Sequence, residues 1–230
     1  MIDLHSHILP GMDDGSKNPG MSADLLSLLH YQGVTTVVAT PHFYPKNESP
    51  QDFLDRRAAA AAALPTPPEG MQVLLGAEVA YFPGMGTSES MIPLQIGNTK
   101  LLLVEMPFQP WTDRMIRDIC DIPMQLGLIP VLAHVNRYPG RQQLSAFLPA
   151  LLDAGVLFQC NCEAFDGFQS RRWALKLIEA GHIQFLGTDC HDLVQRPPKM
   201  NLARQIIEKK LGMAFLRELD EAAADLLSEK

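Results

Sequence analysis

The chain has 230 residues, 47% of them hydrophobic, which is enough to bury one sizeable core and too short for two comfortable ones. Its 26 acidic residues outnumber 19 basic ones for a formal net charge of −7, which excludes a general nucleic-acid binder, since that needs a basic surface to displace phosphate counterions; a small phosphorylated target stays compatible. Cys120, Cys160, Cys162 and Cys190 form no CxxC pair, no leader precedes Asp3, and no apolar run reaches the roughly 18 residues of a membrane helix; the expectation is one domain over 1–230, reduced, cytoplasmic and not integral to a membrane.

The first predicted element is a strand over 1–5, followed by a helix over 22–32 and a strand over 34–40. A helix over 50–64 carries the Ala run that Pro65 stops, and strands over 72–78 and 100–105 come next. Then helices over 111–126, 141–153, 170–180 and 199–211 alternate with strands over 129–134, 156–161 and 183–187. Gly33, Gly127, Gly155 and Gly181 close four of the helices, so that YQGVTTVVAT, QLGLIPVLAH, DAGVLFQCN and EAGHIQFLG repeat one phrase of helix, glycine and apolar strand. Seven such units predict an α/β fold, a (β/α)7 TIM-like barrel slightly smaller than the usual eight-unit form; a doubly wound open sheet is the alternative.

The residues at the strand ends favour the barrel. In chain order they are His5 with His7, His42, Glu78, Glu105, His134, Asn161, and Asp189 with His191. Of the seven histidines, five stand there, and only His30 and His182 fall in or just after helices. A lone histidine is usually a satisfied structural residue, but a barrel brings all its strand C-termini to one mouth, where such side chains converge. His5 and His7, two apart on a strand, share a face and can share an ion. Either Asp13 or Asp14 can join them from the following loop. Massing these carboxylates without cations would cost on the order of several kcal/mol in repulsion and desolvation, so the cluster implies divalent ions, and the mixed donors suit manganese, iron or zinc. Arg137 and Arg196 follow two of the strand ends and can each clamp a phosphate; the plainer role is to neutralise the acidic rim.

The stretches MIDLHSHILPGMDDG, ATPHFYP, LLGAEV, LLVEMPF, AHVNRYP and GTDCHDLVQRPP, in this order over essentially the whole chain, resemble the polymerase and histidinol phosphatase (PHP) superfamily. Within it they resemble the bacterial protein-tyrosine phosphatases of capsule and exopolysaccharide systems. The resemblance implies a distorted barrel with two or three divalent ions, manganese foremost, held by His5, His7, Asp14, His42, Glu78, Glu105, His134, Asp189 and His191. It implies that Glu78 bridges an ion on His5, His7 and Asp189 to one on Glu105 and His134, with His42, His191 and Asp14 serving a third. It places phosphate binding on Arg137 and Arg196, and implies as partner a phosphotyrosine protein, a bacterial tyrosine autokinase. Asn136 departs from the pattern, since relatives usually carry Glu before the arginine, which leaves open what orients Arg137. Cys190 is read as a small core residue without chemistry, on the ground that Gln195 stands five positions after it and breaks the Cys-x5-Arg signature of thiol phosphatases.

Aromatic residues follow four successive strand ends: Phe43 and Tyr44, Tyr81 and Phe82, Phe108 and Trp111, Phe165 and Phe168. Of these Tyr44, Tyr81, Phe82, Phe108 and Trp111 are the expected rim for a phosphotyrosine ring; packing of the barrel edge is the simpler role for any one of them.

Overall fold

Nine strand segments and seven α-helices alternate in a computed structural model that describes residues 1–138 and 141–228. Pro139 and Gly140 of the HVNRYPGR stretch, and 229–230, lie outside the described residues. The strands are β1 (Ile2–Ser6), β2 (Thr36–Ala39), β3 (His42–Phe43), β4 (Gln72–Leu75), β5 (Glu78–Ala80), β6 (Leu101–Glu105), β7 (Ile129–Leu132), β8 (Leu157–Asn161) and β9 (Phe185–Gly187). The helices are α1 (Pro19–Tyr31), α2 (Pro50–Ala62), α3 (Asp113–Leu126), α4 (Arg141–Asp153), α5 (Phe168–Glu179), α6 (Met200–Leu211) and α7 (Met213–Ser228).

All strand pairs are parallel: β1 with β2, β2 with β4, β3 with β5, then β5, β6, β7, β8 and β9 in sequence. The last strand returns to the first. Asp189 N–H donates to His5 O at 2.7 Å, His7 N–H donates to Cys190 O at 3.0 Å, and Ser6 bridges Cys190, so the sheet curls into a distorted (β/α)7 barrel. Two of the seven expected strands stop early and are followed by a further short segment: 34–40 holds only β2, with β3 beyond it, and 72–78 holds β4 and the first residue of β5. Pro41 has no N–H to offer a neighbour, which interrupts the first. Pairing nevertheless continues across the gap, because Gly76 N–H donates to Ala39 O at 2.8 Å and Glu78 N–H donates to Pro41 O at 3.0 Å. The step shifts Glu78 from the end of one segment to the start of the next.

Side chains from alternate strand positions fill the barrel: Leu4, Val38, Leu101, Leu103, Val131, Ala133 and Phe185 form one buried cluster. Ala223, Leu226 and Leu227 of α7 join it beside Ile2, Ile129 and Leu157, the first residues of their strands. α7 therefore caps the N-terminal end of the barrel and leaves the chemistry to the other. This helix was not among the elements read from the sequence, although Leu216, Leu219, Ala223 and Leu226 keep helical spacing; Gly212, with φ 95°, ends α6 directly before it. The outer helices bury apolar stripes on the outside of the sheet, as α3 does through Ile116, Ile119 and Ile122. The four glycines expected to close helices all have positive φ, between 67° and 84°. Among the described residues no helix is long and apolar enough to cross a membrane.

Candidate metal centre

Glu78 lies at the middle of the C-terminal mouth, 1% exposed. Its Oε1 is 2.9 Å from His134 Nε2, while its Oε2 is 2.8 Å from His42 Nδ1, 3.2 Å from His5 Nε2 and 3.4 Å from His7 Nε2. Four imidazoles from three strands of the barrel, β1, β3 and β7, thus converge on one carboxylate. Glu105 Oε1 approaches His134 Nε2 at 3.3 Å. Across the mouth, Asp189 Oδ1 lies 3.3 Å from His7 Nε2 and 3.6 Å from both His5 Nε2 and His191 Nδ1.

The register of β1 shifts between Asp3 and Ser6, so Leu4 stays in the interior cluster while His5, its neighbour, also serves the mouth. His5 and His7 bring their Nε2 atoms to 3.1 Å, the convergence expected of an HxH pair, although β1 ends at Ser6 and His7 follows it. The adjacent aspartates divide the work between them. Asp13 Oδ2 accepts from His7 Nδ1 at 2.7 Å and from His42 N–H at 3.0 Å, and its Oδ1 accepts from Gly15 N–H at 2.9 Å, so it holds histidines in place. Asp14, 64% exposed, turns outward and brings Oδ1 to 3.3 Å from His191 Nε2 and 3.4 Å from His42 Nε2.

Three groups bring ligand atoms within 4.8 Å of one another: His7, Asp14, His42 and His191; His5, His7 and Asp189; and His42, Glu78 and Glu105. These groups share His7 and His42, whereas the division implied by the resemblance assigns each to a single ion. Glu78 Oε2, His42 Nδ1 and His191 Nε2 are buried without a hydrogen-bond partner among the described residues. Buried polar atoms are normally satisfied, and these sit among other donors of the N/O type that divalent ions prefer, so the residues fit such ions.

The electrostatics agree with a site built around charge. Burial opposes ionisation of Glu78, yet the His5 charge, the hydrogen bond with His134 and the nearby His42 imidazole hold it well below the usual carboxylate range. Burial likewise opposes the charge on His134, but hydrogen bonds to Glu105 and Glu78 push it up to about 9. His7 is raised well above its ordinary value, burial being outweighed by Asp13, Asp189 and Glu78. His134, with φ 30°, and Asp189, with φ 51°, adopt a left-handed backbone that costs a non-glycine residue on the order of 1 kcal/mol or more, strain of the kind held at functional sites.

Two amides support the donors from behind: Gln159, absent from the residues read in the sequence, and Asn161, read there as a strand end and not as a ligand. Gln159 Oε1 accepts from His134 N–H at 2.7 Å and lies 3.2 Å from His5 Nδ1. Its Nε2 donates to Asn161 Oδ1 at 2.9 Å, and Asn161 Nδ2 donates to Asp189 Oδ2 at 2.9 Å. Gly187 makes room for this relay: a Cβ there would stand 2.6 Å from Gln159 Nε2 and 2.7 Å from His5 Cβ. The available signal was a glutamine on an inward-facing strand position two residues before Asn161.

Arg137 Nη1 and Arg196 Nη2 both reach Asp189 Oδ2, at 2.6 and 2.7 Å. Glu163 Oε1 lies 2.5 Å from Arg137 Nε, and Asn136 Oδ1 instead accepts from Asn161 N–H at 2.8 Å. The two arginines line a cavity of about 210 Å³ with Glu78, His134, Tyr44 and Phe108. Tyr44 stacks on His42 at 5.3 Å and Phe108 on His134 at 5.6 Å, both rings partly exposed. The other rim candidates are elsewhere. Tyr81 donates its hydroxyl to Asp118 Oδ2 at 2.6 Å, Phe82 packs against the outer core, and Trp111, 6% exposed, donates Nε1–H to Pro107 O at 3.1 Å. Tyr81, Phe82 and Trp111 fill space behind the rim because their loops turn back onto α3 and the outer core. Phe43 and Phe165 are buried, and Phe168 is exposed away from the cavity.

Cys190 needs one correction. Five residues, 191 to 195, separate it from Arg196, so the Cys-x5-Arg spacing is met after all. Its place in the fold removes it from the chemistry: the thiol is 0% exposed, and burial together with Asp3 pushes it far above the usual thiol range.

Among known proteins the chain is similar to tyrosine-protein phosphatases. The tyrosine-protein phosphatase YwqE of Bacillus subtilis (strain 168) is 30% identical over 242 residues, spanning 99% of this chain and 91% of that protein. The tyrosine-protein phosphatase CpsB of Streptococcus pneumoniae is 29% identical over 240 residues, 95% of this chain and 94% of that protein. The fold superposes with a TM-score of 0.85 and 27% identity, over 100% of this chain and 96% of the other, on a solved structure from work describing YwqE and CpsB as unique metal-dependent tyrosine phosphatases. A family model for capsular polysaccharide synthesis, CpsB/CapC, matches residues 1–227, and the chain belongs to that family.

Proposed function

We propose that residues 1–230 form one phosphatase domain that hydrolyses protein phosphotyrosine with two or three divalent ions, manganese first and iron or zinc as alternatives. The observation that carries this reading is the meeting of Arg137 and Arg196 at Asp189, on the edge of the donor cluster and inside a cavity walled by Tyr44 and Phe108. His5, His7, Asp14, His42, Glu78, Glu105, His134, Asp189 and His191 are the proposed ligands. Bound ions supply a water made acidic enough to attack at neutral pH and positive charge for the phosphoryl oxygens.

The chain's own groups do the rest. The guanidiniums of Arg137 and Arg196 grip phosphoryl oxygens through paired N–H donors and take up charge that grows as the P–O bond breaks. Glu163 fixes the plane of Arg137. Tyr44 and Phe108 offer their faces to the phenyl ring and exclude water around it. The leaving phenolate has a pKa near 10, well below that of an alkoxide, so the site needs less from a general acid. Cys190 contributes no nucleophile.

The relatives' names support phosphotyrosine as the substrate and capsule synthesis as the setting. By that analogy the partner is a phosphotyrosine protein, a bacterial tyrosine autokinase, met in the cytoplasm. The test compares turnover of a phosphotyrosine peptide, a phosphoserine peptide and a sugar phosphate with manganese present and after chelation. The reading requires preference for phosphotyrosine and loss of activity on chelation; preference for the sugar phosphate would assign the site to small phosphomonoesters instead, and activity surviving full metal removal would end the mechanism.

A further inference from the structure

A second cavity, of about 620 Å³, lies between α5 and α6 and shares no lining residue with the donor cluster. Arg171, Arg172, Lys176 and Lys210 line it against one carboxylate, Glu179, over an apolar floor of Leu175 and Leu211. That excess of positive charge sits on a chain whose formal net charge is −7. None of the four cations has a side-chain hydrogen bond or ion pair among the described residues.

Lys176 and Lys210 are near helix C-termini, where the macrodipole favours them, and need no further reason. The arginines do. α5 starts at Phe168 with no side-chain cap and no acidic residue in its first turn, and Arg171 and Arg172 follow at once, where the positive end of the dipole disfavours cations. Arg172 and Lys176 are also four residues apart on one face, a like-charge pair that weakens an isolated helix. The charges on α5 thus work against their own helix, and an anion from outside would relieve both conflicts. Phe168, 73% exposed, offers an apolar contact at the same end. The helical turn Cys162–Phe165 leaves β8 at the mouth, its Glu163 holds Arg137, and α5 starts three residues after it, so the groove begins beside the catalytic mouth and follows the outer wall.

We propose that the α5/α6 groove is a docking surface for an acidic segment of the same polypeptide whose phosphotyrosine is hydrolysed at the mouth. This rests on the phosphatase reading. A concave channel between two helices admits an extended chain and not the flat face of a bilayer, and its cations with an apolar floor match a segment rich in Glu or Asp with interspersed apolar residues.

Two phosphotyrosine peptides of equal length, one flanked by Glu and the other by Ser, and para-nitrophenyl phosphate are turned over by the manganese-loaded protein and by the Arg171→Glu/Arg172→Glu variant. The Glu-flanked peptide has the lower KM on the parent protein, and the variant raises that KM about tenfold, the scale of several exposed charge contacts. kcat, the Ser-flanked peptide and para-nitrophenyl phosphate are unaffected. Fluorescence anisotropy of the unphosphorylated Glu-rich peptide reads the groove independently of catalysis, with binding lost in the variant and at high salt. Equal KM values for the two peptides on the parent protein, or binding to phosphatidylglycerol vesicles without binding to the peptide, overturn the proposal. Turnover of none of the three substrates, with the Glu-rich peptide still bound, overturns the phosphatase reading and leaves the groove standing as an acidic-peptide site.

Discussion

Glu163 Oε1 stands 2.5 Å from Nε of Arg137, whose Nη1 continues to Asp189. A guanidinium pinned on its Nε edge can only rotate about the axis of that contact, which leaves its remaining N–H groups aimed into the cavity. Glu163→Ala is expected to lower kcat/KM for a phosphotyrosine peptide by about tenfold, with Glu163→Gln intermediate, since it can still accept one hydrogen bond. Ion content measured by elemental analysis should stay unchanged in both. A loss of ions in Glu163→Ala would mean that the carboxylate supports the donors and not the arginine.

Asp13 and Gln159 each accept from Nδ1 of a histidine, which leaves Nε2 of His7 and His5 as the lone-pair atom. Asp13→Asn and Gln159→Leu are expected to weaken manganese affinity by about ten- to a hundredfold, read by calorimetry, with activity recovered at high manganese. Activity that stays lost at saturating manganese would assign these residues to the chemistry itself.

Ions and protons compete for the same imidazoles. His134, raised to about 9 by Glu105 and Glu78 against the effect of burial, and His7, raised by Asp13, Asp189 and Glu78 against the same effect, are protonated near neutral pH when no ion is bound. Manganese binding at about pH 7.5 should therefore release protons, seen as acidification in weak buffer. The sign for stability follows: the His134 contribution in chelated protein is fully present below its ordinary 6.5 and is lost as pH rises through about 9. Melting of the chelated protein should fall across that window, and a flat profile together with no proton release would contradict these assignments.

Thiol chemistry gives a separate check. Burial pushes Cys160 up to about 12 and holds Cys162 and Cys190 well above the usual range, while Cys120 is half-buried. Iodoacetamide should modify only Cys120 in the native protein, all four after unfolding, and leave phosphatase activity intact. Inactivation tracking modification of Cys190 would instead make it a nucleophile paired with Arg196.

The barrel was legible because four of its seven units repeat helix, glycine and apolar strand, and because five of seven histidines fall where parallel strands end. α7 was hidden behind Gly212, a true helix stop that another helix follows directly. The breaks at Pro41 and Gly76 depend on how neighbouring staves stagger, which no local pattern records. The same holds within the site. His5 and His7 follow from strand period, but the division between Asp13 and Asp14 is set by how one loop folds back over the mouth. Gln159 escaped notice because an amide inside a strand is not a ligand type, and Glu163 because it stands two residues past the strand end at Asn161; their partners come from other strands. Tyr81, Phe82 and Trp111 looked equivalent to Tyr44 and Phe108 in sequence, and only the direction of their loops separates them.

The seam between β1 and β9 has a consequence for how the molecule opens. His5 and His7 stand on one side of it and Asp189 and His191 on the other, so an ion held by His5, His7 and Asp189, and one held by His7 and His191, would each be a clasp between the first and last strands of the barrel. Parting that seam and emptying the centre are then a single event. Manganese should protect the amides of Asp189 and His7 from hydrogen exchange more than those of β6 or β7 on the far side of the barrel.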